Sequence, residues 1–482
     1  MQFTSLSFLL FLLLIYVVYN LTPNRFRYIV LAIGSTFFYY VGCGKLLLLL
    51  VAIVLITYIA GLLCTKKYTP HITVSLLVLL LALFKYSGFL YDTIMSIRQA
   101  FGGVQSERTI SIALPLGISF YTFEAISYII DCRKGKITPE RNFLYVYTYL
   151  AMFPTVVSGP IERAGNIIPQ LKNPKLVDLN RFMNAVMLIM WGFALKLLLA
   201  DRLAVFVDNV YSNPCNYAGT IVFFATIFYS FEIYADFAGY TAIAIGSAMM
   251  LGLDISPNFD TPYLSSSIGE FWRRWHISLS SWLRDYLYIP LGGNRKGEVR
   301  KLLNLLIVFT ISGLWHGAAW TFVFWGLLHG LYQVLANVAK VPLTKAKQYF
   351  ETKNYSSFHY VLQIVVTFLM VNFAWIFFRA DTFSKAIEII KDTLSITPWV
   401  FLDGSFLNVG LSRPDMTLML IMLAILVFTD IMNVRGLDIR KMIISQPIIV
   451  RWAIMISVII IIATCGVWGP GYSEGHFIYS GF

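Results

Sequence analysis

The chain has 482 residues, of which 58% are hydrophobic and only 13% charged. Soluble domains carry about 25% charged residues, so this composition excludes a water-soluble enzyme and points to an integral membrane protein. The formal net charge of +12 reads as membrane topology and contact with anionic lipid, and nothing in it calls for nucleic acid.

Apolar runs follow one another along the chain. The first four are Thr4–Leu21, Tyr28–Val41, Leu46–Leu63 and Ile72–Leu90. Ile112–Ile130, Phe143–Val157, Phe182–Leu199 and Ile221–Ala235 come next. Leu302–Leu314, Ala318–Leu335, Tyr360–Phe378, Met416–Phe428 and Trp452–Val467 complete the series. About twenty apolar residues cross a bilayer as a helix, so the shorter runs are expected to be tilted, re-entrant or extended at their flanks. The runs are continuous and do not alternate, which argues for helices and against a β-barrel. The expected fold is all-α and polytopic, with roughly 11–13 membrane-embedded helices in a single integral domain over residues 1–482.

The first run lacks a basic leader and is expected to remain as a span. Arg25 and Arg27, Lys66-Lys67 and the basic stretch around Arg133–Lys136 fall on one side, which the positive-inside rule makes the cytoplasm. The N-terminus is then outside. Five cysteines at 43, 64, 132, 215 and 465 lie far apart, with neither metal-ligand spacing nor a disulfide framework. No metal site is expected.

The polar segment Leu251–Lys301 is too long and too decorated for a plain loop. Trp272, Trp275, Leu279, Trp282, Tyr286 and Ile289 recur at spacings of three and four, which predicts one helical face. His276 falls at the border of that stripe, about 90° from its centre. Seven Lys/Arg lie between Arg273 and Lys301, against Glu270, Asp285 and Glu298. One reading is an amphipathic helix on the cytoplasmic surface, anchored by tryptophans. The other is the lining of a funnel for a phosphate-bearing donor, with Arg273, Arg274, Arg284 and Trp275 as contacts.

Gly313-Leu314-Trp315-His316-Gly317 lies between two apolar runs. An ionisable residue at that depth is expensive and marks a functional position. His316 is either a buried imidazole bridging helices or a general base. Desolvation disfavours imidazolium and leaves a neutral ring able to accept a proton. Gly313 and Gly317 permit close approach, and Trp315 walls a dry pocket. His276, Asn304 and His316 form the one Asn/His set with catalytic promise, and His329 is expected to be structural. Glu232 and Asp236 share a face of one helix; they either bond neighbouring helices or carry a cation, as in a transporter.

Together these blocks resemble the membrane-bound O-acyltransferases, in the bacterial branch that includes alginate O-acetyltransferase. The resemblance runs from about Ala113 to Ile390 and rests on several blocks. They are Pro115–Phe123, Ser158–Arg163 with Pro169-Gln-Leu, Asp236–Tyr240, Phe271–Arg295, Ser312–Ala318 and Trp375–Ala380. It implies a ring of helices with a thinned centre, His316 as the essential membrane histidine and His276 as the second active-site position. That position is His, Asn or Asp in different branches. The family pattern after Asp236-Phe usually reads Ser-Gly-Tyr-Ser-Asp; here it is Ala238-Gly-Tyr-Thr-Ala242.

The implied activity is acetyl transfer from a cytoplasmic thioester, acetyl-CoA, to an exported polysaccharide across a bacterial cytoplasmic membrane. No bound cofactor is expected. The expected partners are the bilayer, the thioester donor, the polysaccharide and an extracytoplasmic transferase or esterase-like protein. Asn304, Trp315 and Asp236 are candidate supports, and Tyr479, in an aromatic tail, is a candidate acyl relay. Two alternatives stay open: a D-alanyl transferase of teichoic-acid modification, and a secondary transporter using Glu232 and Asp236.

Overall fold

The computed structural model describes residues 1–102, 113–157, 159–339, 344–345, 348–349 and 356–468. Among them the chain is helical, and the one β pairing is an isolated bridge between Phe259 and Trp275. The N-terminal part comprises α1 (Leu6–Leu21), α2 (Arg27–Cys43), α3 (Leu47–Leu62), α4 (Thr69–Ala100), α5 (Ile118–Arg133), α6 (Phe143–Ala151) and α7 (Ala164–Lys172). The middle contains α8 (Leu179–Ala194), α9 (Asp201–Ser212), α10 (Gly219–Met250), α11 (Ile268–Arg274), α12 (Ile277–Leu283), α13 (Glu298–His316) and α14 (Trp320–Val338). The C-terminal part comprises α15 (Ser356–Arg379), α16 (Phe383–Thr393), α17 (Arg413–Val434), α18 (Ile439–Ile444) and α19 (Ile448–Cys465).

Local chemistry starts these helices where the apolar runs predict. Ser5, Asn142, Asp178, Ser267, Thr382, Ser412 and Asp438 each accept a backbone N–H from the first turn of the helix that follows, filling one of the orphan donors there. Among the described residues seven helical stretches are long and apolar enough to cross a membrane. Their outer faces are greasy: Ile33, Leu48, Leu79 and Ile449 are all strongly exposed, as lipid-facing residues are.

The interior is built on α10, which packs against α8 and α9. A π-helical segment, Leu195–Ala200, joins α8 to α9. It turns Lys196 inward, where its ammonium lies 2.8 Å from Asp236 and 2.9 Å from Asp201. The same centre receives α13 and α14. These two helices meet at Gly313 and Gly326, where a Cβ on Gly313 would strike the Phe322 carbonyl and one on Gly326 the Phe309 carbonyl. Glycine is required at both positions to let the backbones touch.

The aromatic stripe of the polar segment is not one face of one helix. The helix breaks after Arg274 and resumes at Ile277. His276 takes the left-handed conformation, φ 44° and ψ 56°. The break is held by short extended pairing: Asp260 N–H donates to the Arg274 carbonyl and Ile277 N–H to the Asn258 carbonyl, both at 3.0 Å. Arg284–Tyr288 is π-helical. Trp272, Trp275, Leu279, Trp282 and Tyr286 are buried all the same, whereas Ile289 is exposed. A helical wheel therefore misplaces His276, which is wholly buried and not at a border.

Candidate active site

His316 is the last residue of α13 and is 1% exposed. Its ring is walled by aromatic edges, with centroids 4.9 Å from Trp315, 5.0 Å from Trp325 and 5.4 Å from Phe378. Trp325 stacks in turn on Trp375 at 5.4 Å. Such a wall excludes water and strengthens any electrostatic interaction inside it.

His276 faces it. The two imidazole centroids are 6.4 Å apart. The His276 Nδ1 lies 3.2 Å from Asn258 Oδ1. That oxygen also accepts the backbone N–H of Ser278 at 3.2 Å and the Ser278 hydroxyl at 2.7 Å. Ser278 Oγ itself accepts Ile161 N–H at 3.0 Å. A backbone N–H can only donate, so the Asn258 atom is the carbonyl oxygen, and Nδ1 of His276 must carry the proton. The network thereby assigns the tautomer and puts the imidazole's lone pair on Nε2.

A stack ties the polar segment to α13. Phe123 of α5 lies 3.9 Å from the Trp282 ring and 5.4 Å from the Trp315 ring, nearly parallel to both. Trp282 Nε1–H donates to the Phe123 carbonyl at 2.9 Å. At the far end of α13 lie Arg300 and Lys301; its 19 residues span about 28 Å at 1.5 Å each. A depression of about 510 Å³ is lined by Phe89, Asp92, Thr93, Ala318, Trp320 and Asp381 among others, on residues that follow His316 and on α4.

The remaining candidates separate. Arg273 and Arg284 are exposed, and Arg284 is held by Asp285 at 2.8 Å. Arg274 pairs with Glu270 at 2.9 Å and donates to Thr261 Oγ1 at 2.7 Å. Trp275 is wholly buried among Phe259, Phe271 and Trp375, so its indole offers no surface to an incoming donor. Asn304 donates to the Gly293 carbonyl at 2.9 Å, holding the turn before α13. It lies twelve residues from His316 on α13, or about 18 Å, and the structure does not bring it to the pair. Asp236 is ion-paired with Lys196. Trp315 forms part of the His316 wall. His329 Nδ1 accepts Trp272 Nε1–H at 3.2 Å inside an aromatic cluster, a packing role. Tyr479 lies outside the described residues.

Sequence reasoning missed Asn258, whose only signal was an asparagine in an otherwise irregular stretch. It also passed over Lys85 inside an apolar run. No metal-binding group of His, Cys, Asp and Glu occurs among the described residues.

Comparison with known proteins bears on this geometry. Residues 138–380 match the membrane-bound O-acyltransferase family, a stretch that contains both histidines. The chain is 36% identical over 415 residues to "Probable alginate O-acetylase AlgI" of Azotobacter vinelandii, covering 84% of this chain and 80% of that protein. The chain belongs to the membrane-bound O-acyltransferase family. It is therefore a membrane-embedded O-acyltransferase. It is also 31% identical over 399 residues to the peptidoglycan O-acetyltransferase of Helicobacter pylori, covering 76% of this chain and 73% of that one. With the teichoic acid D-alanyltransferase of Streptococcus thermophilus it shares 31% identity over 237 residues, 46% of this chain and 56% of that one. The histidine pair and its wall lie wholly inside the family match.

Proposed function

We propose that this acyltransferase moves an acetyl group from acetyl-CoA, at the basic cytoplasmic face, through the membrane for O-acetylation of an exported cell-envelope polysaccharide. One observation carries this reading: two buried imidazoles stand 6.4 Å apart inside an aromatic wall. An acceptor hydroxyl donating to one ring, at about 2.8 Å, fits beside the other at such a separation.

His316 acts as the general base. It takes the proton of the acceptor hydroxyl as the oxygen attacks the thioester carbonyl carbon. The new C–O bond forms, the C–S bond breaks, and the thiolate leaves with the proton returned by the imidazolium. His276 orients the acceptor: the attacking hydroxyl's single proton goes to His316, so the Nε2 lone pair left by the Asn258-fixed tautomer accepts from a neighbouring hydroxyl of the acceptor. Arg273, Arg274 and Arg284, with the basic start of α13, attract the donor phosphates. The N-terminus lies outside and the depression faces outward, toward an extracytoplasmic partner that completes delivery. Tyr479 remains a candidate relay for that step.

The shares of chain matched favour acetyl over D-alanyl transfer: the two acetylating relatives pair with 84% and 76% of this chain, the D-alanyl transferase with 46%. The Lys196 ion pair on Asp236 argues against a transport carboxylate. The deciding experiment is ester release from envelopes of cells carrying wild type, His316→Ala or His276→Ala at equal protein levels, with labelled acetyl-CoA fed to inverted vesicles. Loss of labelled ester in the His316 variant is expected. Full ester output from it refutes the assignment, and labelling only from a charged carrier protein identifies the D-alanyl class.

A further inference from the structure

α4 carries a lysine at its midpoint that the histidine pair does not account for. Lys85 is 9% exposed and sits in a helix whose neighbouring residues are aliphatic and aromatic. A charge at such depth is costly, so a compensating interaction is required. Its partners among the described residues are a hydroxyl, a carbonyl and an indole face. Nζ donates to Ser119 Oγ at 3.3 Å and to the Trp315 carbonyl, and lies 5.3 Å from the Trp315 ring centroid. The next residue, Tyr86, donates to the Leu314 carbonyl at 2.9 Å.

These two carbonyls end α13. Terminal carbonyls have no intrahelical partner and carry the negative pole of the helix. The Trp315 carbonyl also shares one rigid peptide plane with the N–H of His316. Fixing that oxygen fixes the backbone from which the imidazole projects. Along the same face of α4, one and two turns on, Phe89 and Asp92 line the depression.

We propose that Lys85 is a positioning residue for acyl transfer: its ammonium locks the Trp315–His316 peptide plane and caps the negative pole of α13. The inference rests on His316 as the base.

The test follows thiol release from acetyl-CoA in membrane vesicles bearing each variant, with turnover and donor KM measured separately. Lys85→Met is expected to lower turnover about 10²-fold, the cost of small misplacement at a reacting centre, with donor KM unchanged. Lys85→Arg retains most turnover. Lys85→Gln keeps a donor for the carbonyl but no charge and stays low. Tyr86→Phe, which removes the neighbouring cap alone, has a small effect. Wild-type turnover in Lys85→Met or Lys85→Gln overturns the proposal. So does a Tyr86→Phe loss equal to that of Lys85→Met, or a change confined to KM. If Lys85→Met does not accumulate, the Arg and Gln variants decide by the same criteria. An inactive His316→Ala beside an active Lys85→Met sinks this inference alone; an active His316→Ala sinks the base assignment itself.

Discussion

Two clusters of buried ionisable groups lie within the same helical interior, and they are solved in opposite ways. Around Lys196 each charge meets an opposite one: Asp236 at 2.8 Å and Asp201 at 2.9 Å. Around His316 the neighbours are Trp315, Trp325 and Phe378, and the nearest titratable ring is another histidine. Paired charges in a dry interior hold elements in place, and breaking one leaves an uncompensated charge. A ring walled by aromatics is held in orientation, as chemistry at its nitrogens requires. The contrast shows why a charged residue in a membrane helix is a weak functional signal until its partners are known.

Substitution at the two centres separates these roles most sharply. His316→Ala is expected to lower acyl transfer by roughly 10³-fold with thermal stability of the detergent-solubilised protein nearly unchanged. Lys196→Met should do the reverse, destabilising by about 3–5 kcal/mol through the stranded Asp236 and Asp201, and a second change, Asp236→Asn, should recover part of that loss. A Lys196→Met protein of normal stability breaks the comparison. Asn258→Ala tests the tautomer. It removes one hydrogen bond that fixes His276, about 1–1.5 kcal/mol, or close to tenfold in rate, and measured turnover should fall with donor KM unchanged.

The smallest effect lies at the surface. Partial burial works upward on the Asp254 carboxyl, but Lys175 at 2.5 Å and Arg181 at 2.7 Å outweigh it and hold its pKa below the usual value. A depressed folded pKa means stability present at neutral pH and lost as pH falls through the carboxylate range. Asp254→Asn should flatten that acid limb in a melting series and leave neutral-pH activity intact.

Much of the frame was legible because apolar runs leave little choice. The run Leu302–Leu314 matches α13, and His316 stood out because an ionisable residue in such a setting demands a reason. The proximity of His276 and His316 was legible from the same logic together with the family blocks. What failed was the path between them. The spacing of Trp272, Trp275, Leu279, Trp282 and Tyr286 satisfies a helical period, yet tertiary pairing with Asn258–Asp260 breaks the helix at His276. Aromatics packed from several directions can share burial without sharing a face. Asn258 and Lys85 were invisible for a related reason, since their partners are 20 and 230 positions away in sequence. Asn304 shared a helix with His316, but the separation along that helix keeps it out of reach.

The left-handed backbone at His276 has a further consequence. At φ 44° a β-branched or bulky residue is strained, whereas Asn, Asp and His are several-fold enriched there and glycine is at ease. The second active-site position of the resembling branches draws on His, Asn and Asp. Backbone sterics thus write a short alphabet for this position before any acyl chemistry selects from it. Within that alphabet, His276→Asn is the exchange that the chain's own geometry tolerates, and its effect on rate isolates what an imidazole adds.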